Sequence, residues 1–78
     1  MENKKIHSLT YAAQYRSFDI SIVGLQSADG WHLSVEIIKW GRQPVAHWRD
    51  RDNVYPDFNC VRTAGLQWSK EFIDGSMH

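Results

Sequence analysis

The stretch DFNCVRTAGLQWSKEFIDG, residues 57–75, decides the fold of this 78-residue chain. Its spacing predicts one amphipathic helix that begins after Pro56, because the residue before a proline avoids helical backbone angles. Asp57 can cap the first turn, and Gly75 suits the position just after the helix. At 100° per residue, one helix face carries the side chains that would cover a sheet: Cys60, Val61, Ala64, Gly65, Trp68 and Phe72.

Three segments before this helix alternate apolar and polar residues, as half-buried strands do. They lie at residues 18–22, 31–37 and 45–49, and turns at 27–30 and 41–44 join them. Gly24 is expected to end or bulge the first strand. Residues 9–15 suit either a strand or a short helix, and the alternation of Tyr11 with its neighbours favours an extended segment.

These elements predict an α+β fold, in which a three-stranded antiparallel β-meander is covered on one face by the C-terminal helix. The N-terminal segment is a candidate for an added strand. The length predicts a single domain over residues 1–78, with residues 1–10 flexible and residues 15–75 as the structured core.

The predicted register pairs Ile22 with Trp31 and Ile37 with Trp48. It gives the sheet one apolar face, on which Val61, Trp68 and Phe72 of the helix are expected to pack. That face holds Phe18, Ile20, Ile22, Trp31, Leu33, Val35, Ile37 and Trp48.

The same register leaves a second apolar group at one end of the opposite face. It contains Ile38, Trp40, Val45 and His47, with the basic residues Lys39 and Arg42 close in sequence. An exposed tryptophan beside cations can contact a protein or stack on a base. Three accounts stay open: Leu9 and Tyr11 fold over the group, the group binds a partner, or the register is wrong.

Leu66 and Ile73 lie well off the main face of the predicted helix. Either they contact the sheet rim and the chain end, or they form a narrow stripe for a partner helix or a second copy.

Composition places the chain among ordinary globular domains. Nine basic and nine acidic residues cancel, so no global attraction to nucleic acid follows. One cysteine forms no internal disulfide, and no apolar run is long enough for a membrane span or a signal peptide. A cytoplasmic location is expected.

The sequence contains none of the motifs that carry nucleotide, metal or nucleophilic chemistry. The prediction is therefore a protein without enzymatic activity, metal or cofactor. Cys60, in the first helical turn, is either a small buried hydrophobe or a thiol activated by the helix dipole.

The string Tyr15-Arg16-Ser17-Phe18-Asp19-Ile20, the turn before Trp31 and the helix sequence from Ala64 to Gly75 resemble a group of small bacterial proteins of unknown function. Ser17 stands where that group usually has glycine. The resemblance covers about residues 15–75 and implies a sheet-plus-helix fold. It implies no activity and no binding residues.

The leading functional hypothesis is a small interaction module that self-associates or binds another protein. Its expected contacts are Ile38, Trp40, Arg42, Val45 and His47, with Leu66 and Ile73 on the helix. The alternative is a nucleic-acid-binding module that uses the same Trp40 and Arg42 patch. A thiol sensor at Cys60 is the third hypothesis.

Overall fold

The structure, a computed structural model, describes residues 7–41 and 44–76. These residues form four strands and one helix: β1 Ser8–Tyr15, β2 Phe18–Ser27, β3 Gly30–Lys39, β4 Pro44–Arg49 and α1 Phe58–Ser76. The strands make one antiparallel sheet in the order β1-β2-β3-β4. The α+β prediction with an antiparallel sheet and a C-terminal helix is confirmed, but the described sheet has four strands rather than three.

The additional strand is β1, the segment for which the sequence left strand and helix open. Tyr11, Ala13 and Tyr15 are partly buried and pack against the core, whereas Thr10, Ala12 and Gln14 between them are exposed. This period of two is what a half-buried strand requires. Residues 8–10 of the expected flexible start belong to β1, and residues 1–6 lie outside the described residues.

A two-residue turn joins β1 to β2, and both of its residues have left-handed backbone angles. Arg16 has φ of 51° and Ser17 has φ of 68°, while Tyr15 pairs with Phe18 across the turn. Two positive φ values are typical of the hairpin turn whose twist matches the twist of the strands. Serine is a costly residue at such a position, because its Cβ crowds the backbone.

Replacing Ser17 with glycine should therefore raise the free energy of unfolding by about 0.5–1 kcal/mol, since glycine adopts positive φ without that strain. Chemical denaturation measures the change. Ser21→Gly, in the middle of β2, is the matched control. It should lower stability by a similar amount, and equal effects of the two changes would contradict the expected relief of strain.

The register between β2 and β3 differs from the predicted one. Ile22 pairs with Val35 instead of Trp31, because β2 continues to Ser27 and a tight turn at residues 28–29 joins it to Gly30. The shift is an even number of residues. Since side chains alternate with period two, the predicted residues still share one face.

Gly24 does not end or bulge β2, as the sequence suggested. It pairs with Leu33 inside the strand. A Cβ built at this position would lie 2.5 Å from Cδ1 of Phe58, so the missing side chain makes room for the start of α1. A glycine inside a strand often marks such a close approach.

The core lies between α1 and the strands β2 and β3. Its buried members are Phe18, Ile20, Ile22, Leu33, Val35, Ile37, Val61 and Ile73. Trp31 and Trp48 are partly buried at its margin, as are Trp68 and Phe72 of the helix. The Trp48 and Trp68 rings stack at 4.6 Å between centroids, which closes the core beside β4. The predicted core face of the sheet is therefore confirmed, and so is its cover by the C-terminal helix, although the helix residues at the centre of the contact differ from the predicted ones.

The ends of α1 agree only in part with the prediction. The Cys60 backbone N–H donates to Oδ1 of Asp57 at 2.9 Å, which is the expected cap. That backbone hydrogen bond is the main reason that the pKa of Asp57 is lowered. Gly75 is not the residue after the helix, because α1 continues through it to Ser76.

The loop between β4 and α1 is organised by a buried carboxylate. Asp50 is 4% exposed and accepts hydrogen bonds from the backbone N–H groups of Asp52 and Asn53. It also accepts from the Asn53 amide and, at 2.6 Å, from the Tyr55 hydroxyl. Tyr55 and Trp31 exchange two backbone hydrogen bonds of 2.8 Å, so the loop is also paired to β3.

Candidate functional site

The face of the sheet that points away from α1 is here called the open face. On β2 and β3 it is made by Asp19, Ser21, Val23, Leu25, His32, Ser34, Glu36 and Ile38. The described helix packs against the other face. The open face therefore presents a mixed polar and apolar surface.

One end of the open face holds a shallow depression of about 450 Å³, here called the Trp40 depression. Its lining comes from β1, β2 and β3: Ala12, Ala13, Gln14, Asp19, Ile20, Ser21, Glu36 and Ile38. Trp40 lies at its rim, because the indole Nε1–H donates to Oδ1 of Asp19 at 3.1 Å. The Trp40 side chain is held in place and is still 53% exposed.

The N-terminal strand does not cover Trp40. Leu9 pairs with Gly24, in the half of β2 that is far from Trp40, and Tyr11 pairs with Ile22. Tyr11 packs against the core, and the Arg62 guanidinium carbon lies 5.4 Å from its ring centroid. Both residues alternate onto the helix side of the sheet. Cover of the patch by Leu9 and Tyr11 is therefore wrong.

The predicted partner group is only partly brought together by β4. A bulge between Ile37 and Ile38 shifts the register, so His47 pairs with Glu36 rather than Ile38, and Ile38 pairs with Pro44. Val45 falls at this irregularity and is 46% exposed. A bulge of this kind leaves no trace in the apolar pattern.

Of the two basic residues expected beside Trp40, the structure describes only Lys39. Lys39 alternates to the helix side, where its Nζ lies 5.9 Å from the centroid of the Phe18 ring. Arg42 lies outside the described residues. Among the described residues, the charged side chains that line the depression are the carboxylates of Asp19 and Glu36.

Leu66 and Ile73 do not form an exposed stripe. Ile73 is fully buried in the core, and Leu66 is partly buried against it. The buried face of α1 is rotated about the helix axis relative to the predicted face. Its centre is formed by Gly65 and Ser69, and these residues have no large apolar side chain that would mark them in the hydrophobic pattern. A Cβ on Gly65 would lie 2.9 Å from Cγ2 of Ile22, and the Ser69 hydroxyl donates to the Gly65 carbonyl at 2.7 Å.

A cluster of Ser27, Asp29 and His32 at the turn between β2 and β3 was not predicted. His32 Nε2 lies 2.8 Å from Ser27 Oγ and 3.1 Å from Asp29 Oδ1, and Ser27 also donates to Asp29. The pKa of Asp29 is lowered by the hydrogen bonds from Ser27 and His32. A catalytic triad needs serine and carboxylate on different imidazole nitrogens. Here both meet Nε2, so the cluster has the geometry of a hydrogen-bonded turn.

Cys60 is partly exposed in the first turn of α1. The hydrogen bond to Asp57, followed by burial and the negative charge of Asp57, raises the pKa of the Cys60 thiol. An activated thiol needs a lowered pKa. The cap therefore opposes the effect of the helix dipole on which the thiol hypothesis depended.

Within residues 7–41 and 44–76, no group of three His, Cys, Asp or Glu side chains is arranged to hold a metal ion. The described helix is not apolar enough to cross a membrane.

Comparison of the chain with protein-family models, with curated proteins and with solved structures found no match. The resemblance to small bacterial proteins of unknown function, carried by residues 15–20 and 64–75, therefore stays a prediction. Any function assigned to the chain rests on the geometry of the open face.

Proposed function

We propose that the protein is a small interaction module without enzymatic activity, and that a partner protein binds at the Trp40 depression. The observation that carries the proposal is the half-exposed indole of Trp40, fixed by Asp19 beside the carboxylate-lined depression. Ordered aromatic side chains are the residues that most often anchor protein interfaces. The proposal includes a cytoplasmic location, which a lone cysteine supports.

The chemistry of the depression favours a partner segment that carries a basic side chain. Asp19 and Glu36 supply negative charge, Ile38 supplies apolar surface, and the face of an indole attracts cations. The same charges disfavour phosphates. Binding of nucleic acid, the alternative function, is supported only by the exposure of Trp40, because Lys39 lies on the other side of the sheet.

The experiment captures partners from a lysate of the source cell on immobilised protein and compares four forms. Trp40→Ala and the double variant Asp19→Asn/Glu36→Gln should weaken capture of the same partner by about tenfold or more. Val54→Ala is the matched control, since Val54 is 47% exposed outside the depression, and it should bind as the unmodified protein does.

Two results would contradict the proposal. Partners retained equally by all four forms would place the binding site elsewhere. Salt-sensitive quenching of tryptophan fluorescence by single-stranded oligonucleotides, lost in Trp40→Ala, would favour nucleic acid instead.

A further inference from the structure

The outer edge of β1 presents backbone groups that no described strand pairs with. Tyr15 and Phe18 flank a two-residue turn, and the flanking residues of such a turn exchange hydrogen bonds. The bond from Gln26 N to His7 O, at 2.8 Å, follows the same alternation. The N–H and C=O groups of Ser8, Thr10, Ala12 and Gln14 therefore point outward, and all four residues are exposed.

This edge lacks the features that protect sheet edges from pairing. Its sequence, SLTYAAQY, contains no charged residue and no proline, and its register with β2 is regular. The opposite edge strand, β4, starts with Pro44, is irregular opposite Ile37 and Ile38, and ends with Arg49. Proline, bulges and charges are the usual protection of an edge strand. The β1 edge can therefore pair with a further strand, whereas the β4 edge is protected from such pairing.

We propose that a second copy of this chain pairs with β1, antiparallel and across a two-fold axis at Tyr11. In this register Ser8 faces Gln14 of the other copy and Thr10 faces Ala12, so all four outward-pointing residues of each strand pair. The strand itself carries no charge, and the net charge of the chain is zero. The product is one continuous eight-stranded sheet, and the protected β4 edges stop further addition.

This interface adjoins the Trp40 depression, because Ala12 and Gln14 also line the depression, but it is a different contact and goes beyond the proposed function. It uses the backbone of an edge strand rather than side chains of the open face. Trp40→Ala should therefore leave the dimer intact, and a protein that fails to dimerise could still bind its partner.

Sedimentation equilibrium of the full chain, from micromolar to millimolar concentration, tests the pairing. Ala12→Pro removes one outward N–H from each copy and leaves the hydrogen bonds to β2 in place. It should raise the dimer dissociation constant at least about tenfold, since symmetry removes two hydrogen bonds at once. If the proline variant loses its fold by circular dichroism, Ala12→Lys replaces it, because an edge lysine also blocks pairing.

His47→Pro is the matched control on the other edge. Asp50 N donates to Leu33 O, so the alternation along β4 points the His47 N–H outward as well. This variant should dimerise as the unmodified protein does.

A crosslink tests the register. In a Cys60→Ser background, Tyr11→Cys should form a disulfide dimer, because residues opposite each other in a non-hydrogen-bonded pair have Cα atoms about 4.5 Å apart. Leu9→Cys, displaced from the axis, should crosslink far less. A chain that stays monomeric at millimolar concentration would overturn the proposal. Protection of the Ala12 amide from hydrogen exchange would also overturn the proposal if that protection were the same at every protein concentration, since a segment of the same chain would then cover the edge.

Discussion

Replacing Ile73 with alanine should lower the free energy of unfolding by about 3 kcal/mol, within the range of about 2–5 kcal/mol measured for such core truncations. Ile73 is fully buried and belongs to the same core cluster as Ile20, Ile22 and Val61. A domain of this length is stable by only about 4–12 kcal/mol. The melting temperature should therefore fall by roughly 12–24 °C.

Leu66→Ala is the matched control, because Leu66 is only partly buried against the same core. This variant should lower the free energy of unfolding by about 1 kcal/mol, since a partly buried side chain removes less apolar surface from water. If Ile73→Ala leaves too little folded protein for denaturation, Ile73→Val should cost about 0.5–1.5 kcal/mol. Equal losses for Leu66→Ala and Ile73→Ala would contradict the placement of Ile73 in the core.

The faces of the sheet could be predicted from sequence, but the registers could not. Alternation assigns Ile22 and Val35 to the core face in any register that shifts by an even number of residues. The turn chemistry that fixes the actual register is weak in this chain. Arg16 and Ser17 adopt positive φ without being glycine or asparagine, and Gly24 lies inside a strand rather than at its end.

The candidate site, too, could be predicted from the sequence only in part. The position of Trp40 and Ile38 on the open face followed from the pattern, because both are apolar residues in the polar phase of the strand, but the sequence left open whether Trp40 is covered. The partners of Trp40 did not follow. Its contact with Asp19 joins residues 21 positions apart, and the turn cluster around His32 depends on side-chain geometry that spacing does not report.

Replacing Asp50 with alanine should cost about 3 kcal/mol, because the Tyr55 hydroxyl and three donors of Asp52 and Asn53 would lose their acceptor. Asp52→Ala is the matched control. The Asp52 backbone N–H still donates to Asp50 in that variant, so stability should change by less than about 0.5 kcal/mol. Urea denaturation at neutral pH separates the two variants. Similar costs would mean that the carboxylate does not organise the loop.

Tyr55 donates a hydrogen bond to Asp50, and the two residues affect stability in different ranges of pH. Burial raises the pKa of Asp50, but the hydrogen bonds from Tyr55, Asn53 and Asp52 outweigh it, so the pKa is lowered. The contribution of Asp50 is therefore present above the unfolded pKa of about 3.9 and is lost as the pH falls through the folded value. Asp50→Asn should remove this acid-limb loss.

Burial, followed by the hydrogen bond to Asp50 and its charge, raises the pKa of Tyr55 to about 12. The protonated hydroxyl is thus favoured by folding. Its contribution is complete below the unfolded pKa of about 10 and is lost as the pH rises toward 12. Unfolding free energies measured across pH 9 to about 12 should fall more steeply for the unmodified protein than for Tyr55→Phe, which has no proton to lose at this position. Parallel curves would show that folding does not raise the pKa of Tyr55.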